Sequence, residues 1–113
     1  MIRYVDYSNE RAPDRTIKDE AELRGLLGEA RRQNPPGMGE LVHDNGFKLL
    51  VGIAGRGCVQ HSPANDDVPY LMAVIADPLT GCDMEFMFDG ELTEIPGNYA
   101  IPFDVLEEIA VRQ

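Results

Sequence analysis

Two cysteines (Cys58 and Cys82), two histidines (His43 and His61) and two serines (Ser8 and Ser62) are the side chains of this 113-residue chain suited to nucleophilic or metal chemistry. Neither serine sits in the G-x-S-x-G elbow that exposes a nucleophile at a strand-to-helix turn. A thiol nucleophile needs an adjacent base. Cys58 and His61 stand three apart in a segment that reads as a strand, and this spacing puts them on opposite faces. One cysteine, a histidine three residues on and a second cysteine far downstream do not supply the two tight ligand pairs of a zinc site. Asp66-Asp67 lacks the alternating acidic pattern and the closing glutamate of a calcium loop. Residues 52–57, glycine at both ends and in between, match neither G-x-G-x-x-G nor the P-loop and have no helix after them, so they read as a turn. No catalytic residue, metal or cofactor is expected. Carboxylates are the remaining chemistry, concentrated at Glu85, Asp89, Glu91 and Glu94.

The elements that must position these groups can be read from periodicity. Residues 1–7 alternate weakly, as a strand does, and 8–15 form a polar loop. Asp19 with Glu22 three residues later makes a capping-box-like start. Leu23, Leu26, Leu27 and Ala30 then follow at helical spacing until Asn34-Pro35-Pro36-Gly37 stops the helix. Beyond Gly39 the period becomes that of strands. Segments 40–43 and 47–54 flank Asp44-Asn45-Gly46, and 58–61 follows a second turn. Segment 69–76 is apolar enough for a buried central strand, and 83–88 with 91–95 form a hairpin across Asp89-Gly90. Pro102 opens a closing helix with Val105, Leu106 and Ile109 turned inward. The expected fold is α+β: one domain over 1–113, a single largely antiparallel sheet of about six or seven strands, and two helices packed on one face.

Composition narrows the function classes. Hydrophobic residues make up 43% and charged residues 27% of the chain, the balance of a globular protein. Its longest apolar run, 70–76, is far short of the roughly 20 residues of a membrane helix. No secretory signal is expected from 1–7, and two cysteines fit free thiols in a reducing cytosol. The net charge is −10, and it is uneven. Residues 1–40 carry seven basic and eight acidic side chains, whereas 41–113 carry three (Lys48, Arg56, Arg112) and twelve. Such a field repels nucleic acid and anionic membranes and speeds encounter with a basic protein.

The segment Glu85-Phe86-Met87-Phe88-Asp89-Gly90-Glu91-Leu92-Thr93-Glu94-Ile95-Pro96, followed by Ala100-Ile101-Pro102 and a closing helix, resembles the end of a bacterial immunity protein. These are the α+β proteins encoded beside polymorphic secreted toxins, in the first-numbered family of that series. Residues 31–37 and 46–57 fit the earlier parts of the layout, so the likeness covers about 16–111. The chain departs from the family in having no tryptophan and no basic tail after its last helix. Glu94, and more loosely Pro96 and Pro102, are the positions the resemblance carries over; for Glu94 it leaves open a contact role or a structural one, holding the last loop through backbone hydrogen bonds.

The resemblance implies a cytoplasmic, non-enzymatic protein that neutralises a cognate toxin domain, commonly a nuclease or nucleic-acid deaminase. Charge and expected exposure make Asp66, Asp67, Asp89, Glu91 and Glu94 the candidate partner contacts, facing a basic protein surface. Two other readings stand beside this one. A small enzyme or ligand-binding domain would have a cleft on the open sheet face containing His43 or His61. A homo-oligomer would show a symmetric apolar patch.

Overall fold

A computed structural model describes residues 2–8, 13–63, 65, 70–74 and 83–112. In chain order the elements are β1 (Ile2–Asp6), β2 (Arg15–Ile17), α1 (Glu20–Arg31), β3 (Met38–His43), β4 (Phe47–Gly52), β5 (Arg56–Pro63), β6 (Leu71–Met72), β7 (Met84–Phe88), β8 (Glu91–Ile95), a 3-10 turn (Gly97–Tyr99), β9 (Ile101–Pro102) and α2 (Phe103–Arg112). The main sheet runs β2-β1-β3-β4-β5-β6, with β9 paired to the other end of β5, and every pairing in it is antiparallel. This is the mainly antiparallel sheet with two helices that the periodicity implied.

Local chemistry explains α1. Asp19 is extended and its Oδ1 accepts from Glu22 N at 2.8 Å, while Glu22 Oε2 reaches back to accept from Lys18 N at 3.0 Å. Both ends of the capping pair are thereby used, one donor further back than the usual box. Leu23, Leu26 and Leu27 are buried on one side of α1, and Phe103, Leu106 and Ala110 do the same for α2. Both stripes meet Tyr4, Leu41, Leu49, Val51 and Val59 on one face of the sheet. Arg24 joins the two helices, donating to Glu20 and Glu107 at 2.8 Å and to Glu108 at 3.2 Å.

Alternation along the strands sends the next residues to the other face. There Met38 and Cys58 form a second buried cluster with Met84, Phe86 and Ala100. The β7–β8 hairpin is a two-stranded sheet of its own and covers this face opposite the helices. Its fit depends on a missing side chain: a Cβ on Gly52 would lie 2.8 Å from Phe86 Cζ and 3.0 Å from Cys58 Sγ.

Pro102, expected in the first turn of the closing helix, instead pairs with Arg56 in β9 just ahead of α2, and three further elements differ from the sequence reading. Strand β2 takes Arg15 from the end of the expected loop and Thr16 and Ile17 just beyond it; at three residues it is too short to show a period, and pairing with β1 stabilises it. The expected buried central strand at 69–76 is not one: among the described residues, β6 is a two-residue edge, and Tyr70, Leu71 and Val74 are half or more exposed. A continuous apolar run has no period to say which face is covered, and here Met72 and Ala73 are only partly buried, one against each cluster. Finally, the last hairpin does not extend the sheet but packs across it, because Phe86 finds its cavity above Gly52 and Cys58. No described helix is long and apolar enough to cross a membrane.

Candidate partner-binding site

The hairpin turn is set by two residues. Asp89 (φ 49°) and Gly90 (φ 83°) both take positive φ, the requirement of a two-residue turn whose twist matches the strands it joins. That turn fixes the register: Phe88 opposes Glu91, Met87 opposes Leu92, Phe86 opposes Thr93, Glu85 opposes Glu94 and Met84 opposes Ile95. Directly opposed residues share a face, so Met84, Phe86 and Phe88 turn toward the protein while Glu85, Met87, Leu92 and Glu94 turn away from it. Phe86 is 1% exposed and Leu92 is 55% exposed.

Backbone bonds of β7 to the body show which pairs are close. Met87 N donates to Pro36 O and Asp89 N to Tyr7 O, both at 2.8 Å, and the Tyr7 and Phe88 rings stack at 4.9 Å. A residue whose N–H points away from its partner strand belongs to a non-hydrogen-bonded pair. Met87–Leu92 is therefore such a pair, and so is Glu85–Glu94, two residues along. Non-hydrogen-bonded pairs have the shorter Cα separation, roughly 4.5 Å against 5.5 Å. Two exposed glutamates thus face each other at the closest spacing a sheet provides, where like charges destabilise. Glu85, Glu91 and Glu94 make no ion pair among the described residues.

The three cations of 41–113 do little to offset this. Lys48 is buried with its Nζ 3.4 Å from Glu40, and Arg112 donates to Glu108 at 3.0 Å, which leaves Arg56. None of the three is paired with a carboxylate of the hairpin among the described residues.

Of the five contacts expected from the sequence, Asp66 and Asp67 lie outside the described residues. Asp89 occupies the turn. Glu91 is on the inward face at its open end and Glu94 on the outward face, so these two point in opposite directions, as strand alternation requires. Glu94 makes no hydrogen bond to the last loop among the described residues; Asp83 does that, its Oδ1 accepting from Gly97 N at 3.3 Å. Glu85 and Leu92 are the functional candidates that the charge argument passed over. The two-residue turn was the signal that could have found Glu85, since it fixes the partner of Glu94.

Elsewhere the chemistry is weak. Cys58 is buried, and burial pushes its thiol up to about 11, so it is protonated and unreactive near neutral pH. His61 lies on the opposite face of β5, stacked on Phe47 at 5.0 Å, as the spacing required. Cys82 lies outside the described residues, among which no group of three or more metal-ligating side chains gathers. A crevice of about 200 Å³ between β1, β2 and α1 is lined by Tyr4, Asp6, Arg15, Glu29 and Gln33, and a depression of about 260 Å³ borders His43. Both are smaller than the roughly 300–1,000 Å³ of small-molecule sites, and the crevice contains neither histidine. A wider hollow of about 620 Å³ lies open along α2 between Asp104, Glu107, Glu108 and Arg112.

No family model, curated protein or solved structure matches this chain. The exposed hairpin face therefore rests on its own geometry.

His43 yields a stability prediction. It is buried and its Nε2 has no hydrogen-bond partner among the described residues. Burial, with neighbouring positive charge adding to it and Asp44 opposing, lowers its pKa below the ordinary histidine value. Below about pH 6.5 the unfolded chain takes up a proton that the folded one resists, so stability falls with acidity there, above the carboxylate range. His43→Phe should remove that step from a series of urea melts between pH 7.5 and 5; an unchanged pH profile would count against it.

Proposed function

We propose that this protein is an immunity protein that binds a basic toxin domain, a nuclease or nucleic-acid deaminase by the resemblance of 85–102, and blocks it without catalysis of its own. One observation carries the reading: Glu85 and Glu94 are held face to face beside exposed Leu92, with no counter-ion among the described residues. A fold selected for stability alone has no reason to keep like charges at the closest cross-strand spacing. A partner bringing lysine or arginine relieves that repulsion on binding, and Leu92 supplies an apolar contact beside the charges. Enzymes that act on nucleic acid offer such basic surfaces, because they must neutralise phosphates. The charge of −10 raises the rate at which such a target is met.

The test begins with the gene immediately upstream, which this reading expects to encode a toxin with a C-terminal toxic domain. That domain should co-purify with the protein and lose its activity at one equivalent, and the association rate measured by stopped flow should fall steeply between about 20 mM and 300 mM salt. An association rate that ignores salt would mean that the charge only keeps the protein in solution. A neighbouring toxin left active at excess inhibitor would overturn the reading.

A further inference from the structure

The hairpin has a free side. Strand β7 bonds to Pro36 and Tyr7 on one edge and to β8 on the other, whereas β8 has β7 alone among the described residues. The pair assignment settles which groups point outward. Glu91, Thr93 and Ile95 turn their N–H and C=O toward β7; Leu92 and Glu94 turn theirs away, into solvent. Natural edges of this kind are blunted by lysine, proline, bulges or a covering segment. Strand β8 has no proline or lysine, its five pairs run without a bulge, and Glu91, Leu92 and Glu94 are all exposed. Glutamates alone guard it, and they repel acidic strands while attracting basic ones.

We propose, building on the function above, that the outer edge of β8 takes up an extended basic segment of the partner protein as an added strand. An antiparallel strand would satisfy the N–H and C=O groups of Leu92 and Glu94. Cross-strand pairing then dictates its side chains: a basic residue opposite Glu94, an apolar one two positions on opposite Leu92, and a second basic one opposite Glu91 on the other face. Main-chain hydrogen bonds would give affinity and these alternate side chains selectivity. A second copy of this chain is disfavoured as the occupant, because it would bring Glu91 and Glu94 alongside their duplicates on a molecule that already carries −10.

The probe is a capped eight-residue peptide carrying lysine, threonine, valine and lysine in that order, with glutamate replacing both lysines in the control. On titration into the 113-residue protein, the amides of Leu92 and Glu94, fast-exchanging when free, should slow at least tenfold, while those of Glu91, Thr93 and Ile95 stay protected throughout. The glutamate peptide should have no effect. Leu92→Pro deletes an outward N–H that the hairpin itself does not use, so it should abolish peptide binding where Leu92→Ala, which keeps the N–H, weakens it only several-fold. Binding without protection of the two amides, or equal losses in the two variants, would overturn the inference. Exchange in the unmodified protein decides the matter even where Leu92→Pro fails to fold. Toxin inhibition undisturbed by Leu92→Pro would sink the edge and leave the proposed function standing; peptide capture with no effect on the neighbouring toxin would do the reverse.

Discussion

Phe86→Ala is expected to cost about 3–5 kcal/mol, the range for emptying an aromatic site in a packed core. The ring is 1% exposed and fills the space above Gly52, against Cys58 and Met38. Set against a total stability of roughly 5–15 kcal/mol for a domain, such a loss would leave the hairpin poorly held. The cause can be isolated with Gly52. By itself Gly52→Ala drives a methyl into the Phe86 ring and should cost about 1–3 kcal/mol. With the ring gone that methyl has room on one side, so the double variant should be more stable than the sum of the single changes implies, by about 1 kcal/mol or more. Urea melts of the four proteins measure this directly. Additive costs would mean that Phe86 and Gly52 do not share one cavity, and the hairpin would then need another anchor.

The same pair shows what the sequence could and could not disclose. Helix α1 was legible because Asp19, Glu22 and the leucine stripe each act within a few residues. The final hairpin was legible because Asp89-Gly90 dictates a two-residue turn. Its place above the main sheet was not, since this depends on Gly52 and Phe86 meeting across 34 residues of chain, a long-range fit that leaves no local period. The overreading of 69–76 has the same root: apolarity marks what can be buried, and the surrounding packing decides whether it is. For the site, charge found Glu91 and Glu94, and their spacing of three along a strand puts them on opposite faces, as the register does. Glu85 was available from the turn length alone, and the exposed Leu92 only from packing.

Glu85→Lys should make the protein more stable and a worse inhibitor at once. The substitution turns an opposed pair of like charges into a cross-strand ion pair with Glu94. Pairs of this kind contribute about 0.2–1 kcal/mol, and relief of the repulsion adds a similar amount. The position is exposed and its side chain holds no described hydrogen bond, so nothing else in the fold is lost. Toward a basic partner the sign reverses: a lysine now meets lysine or arginine at a desolvated contact. A loss of about 2 kcal/mol or more in affinity is expected, roughly thirtyfold in Kd. Glu94→Gln separates the remaining alternatives. With Asp83 holding the last loop, its melting temperature should be unchanged or slightly raised while affinity falls, whereas a drop in melting temperature would restore a structural role for Glu94. Gains in stability bought at the expense of binding are what a surface kept for a partner should show. If Glu85→Lys stabilises the fold and leaves toxin affinity untouched, the acidic face of the hairpin is not the contact surface, and the open side of α2 between Asp104 and Arg112 becomes the next place to test.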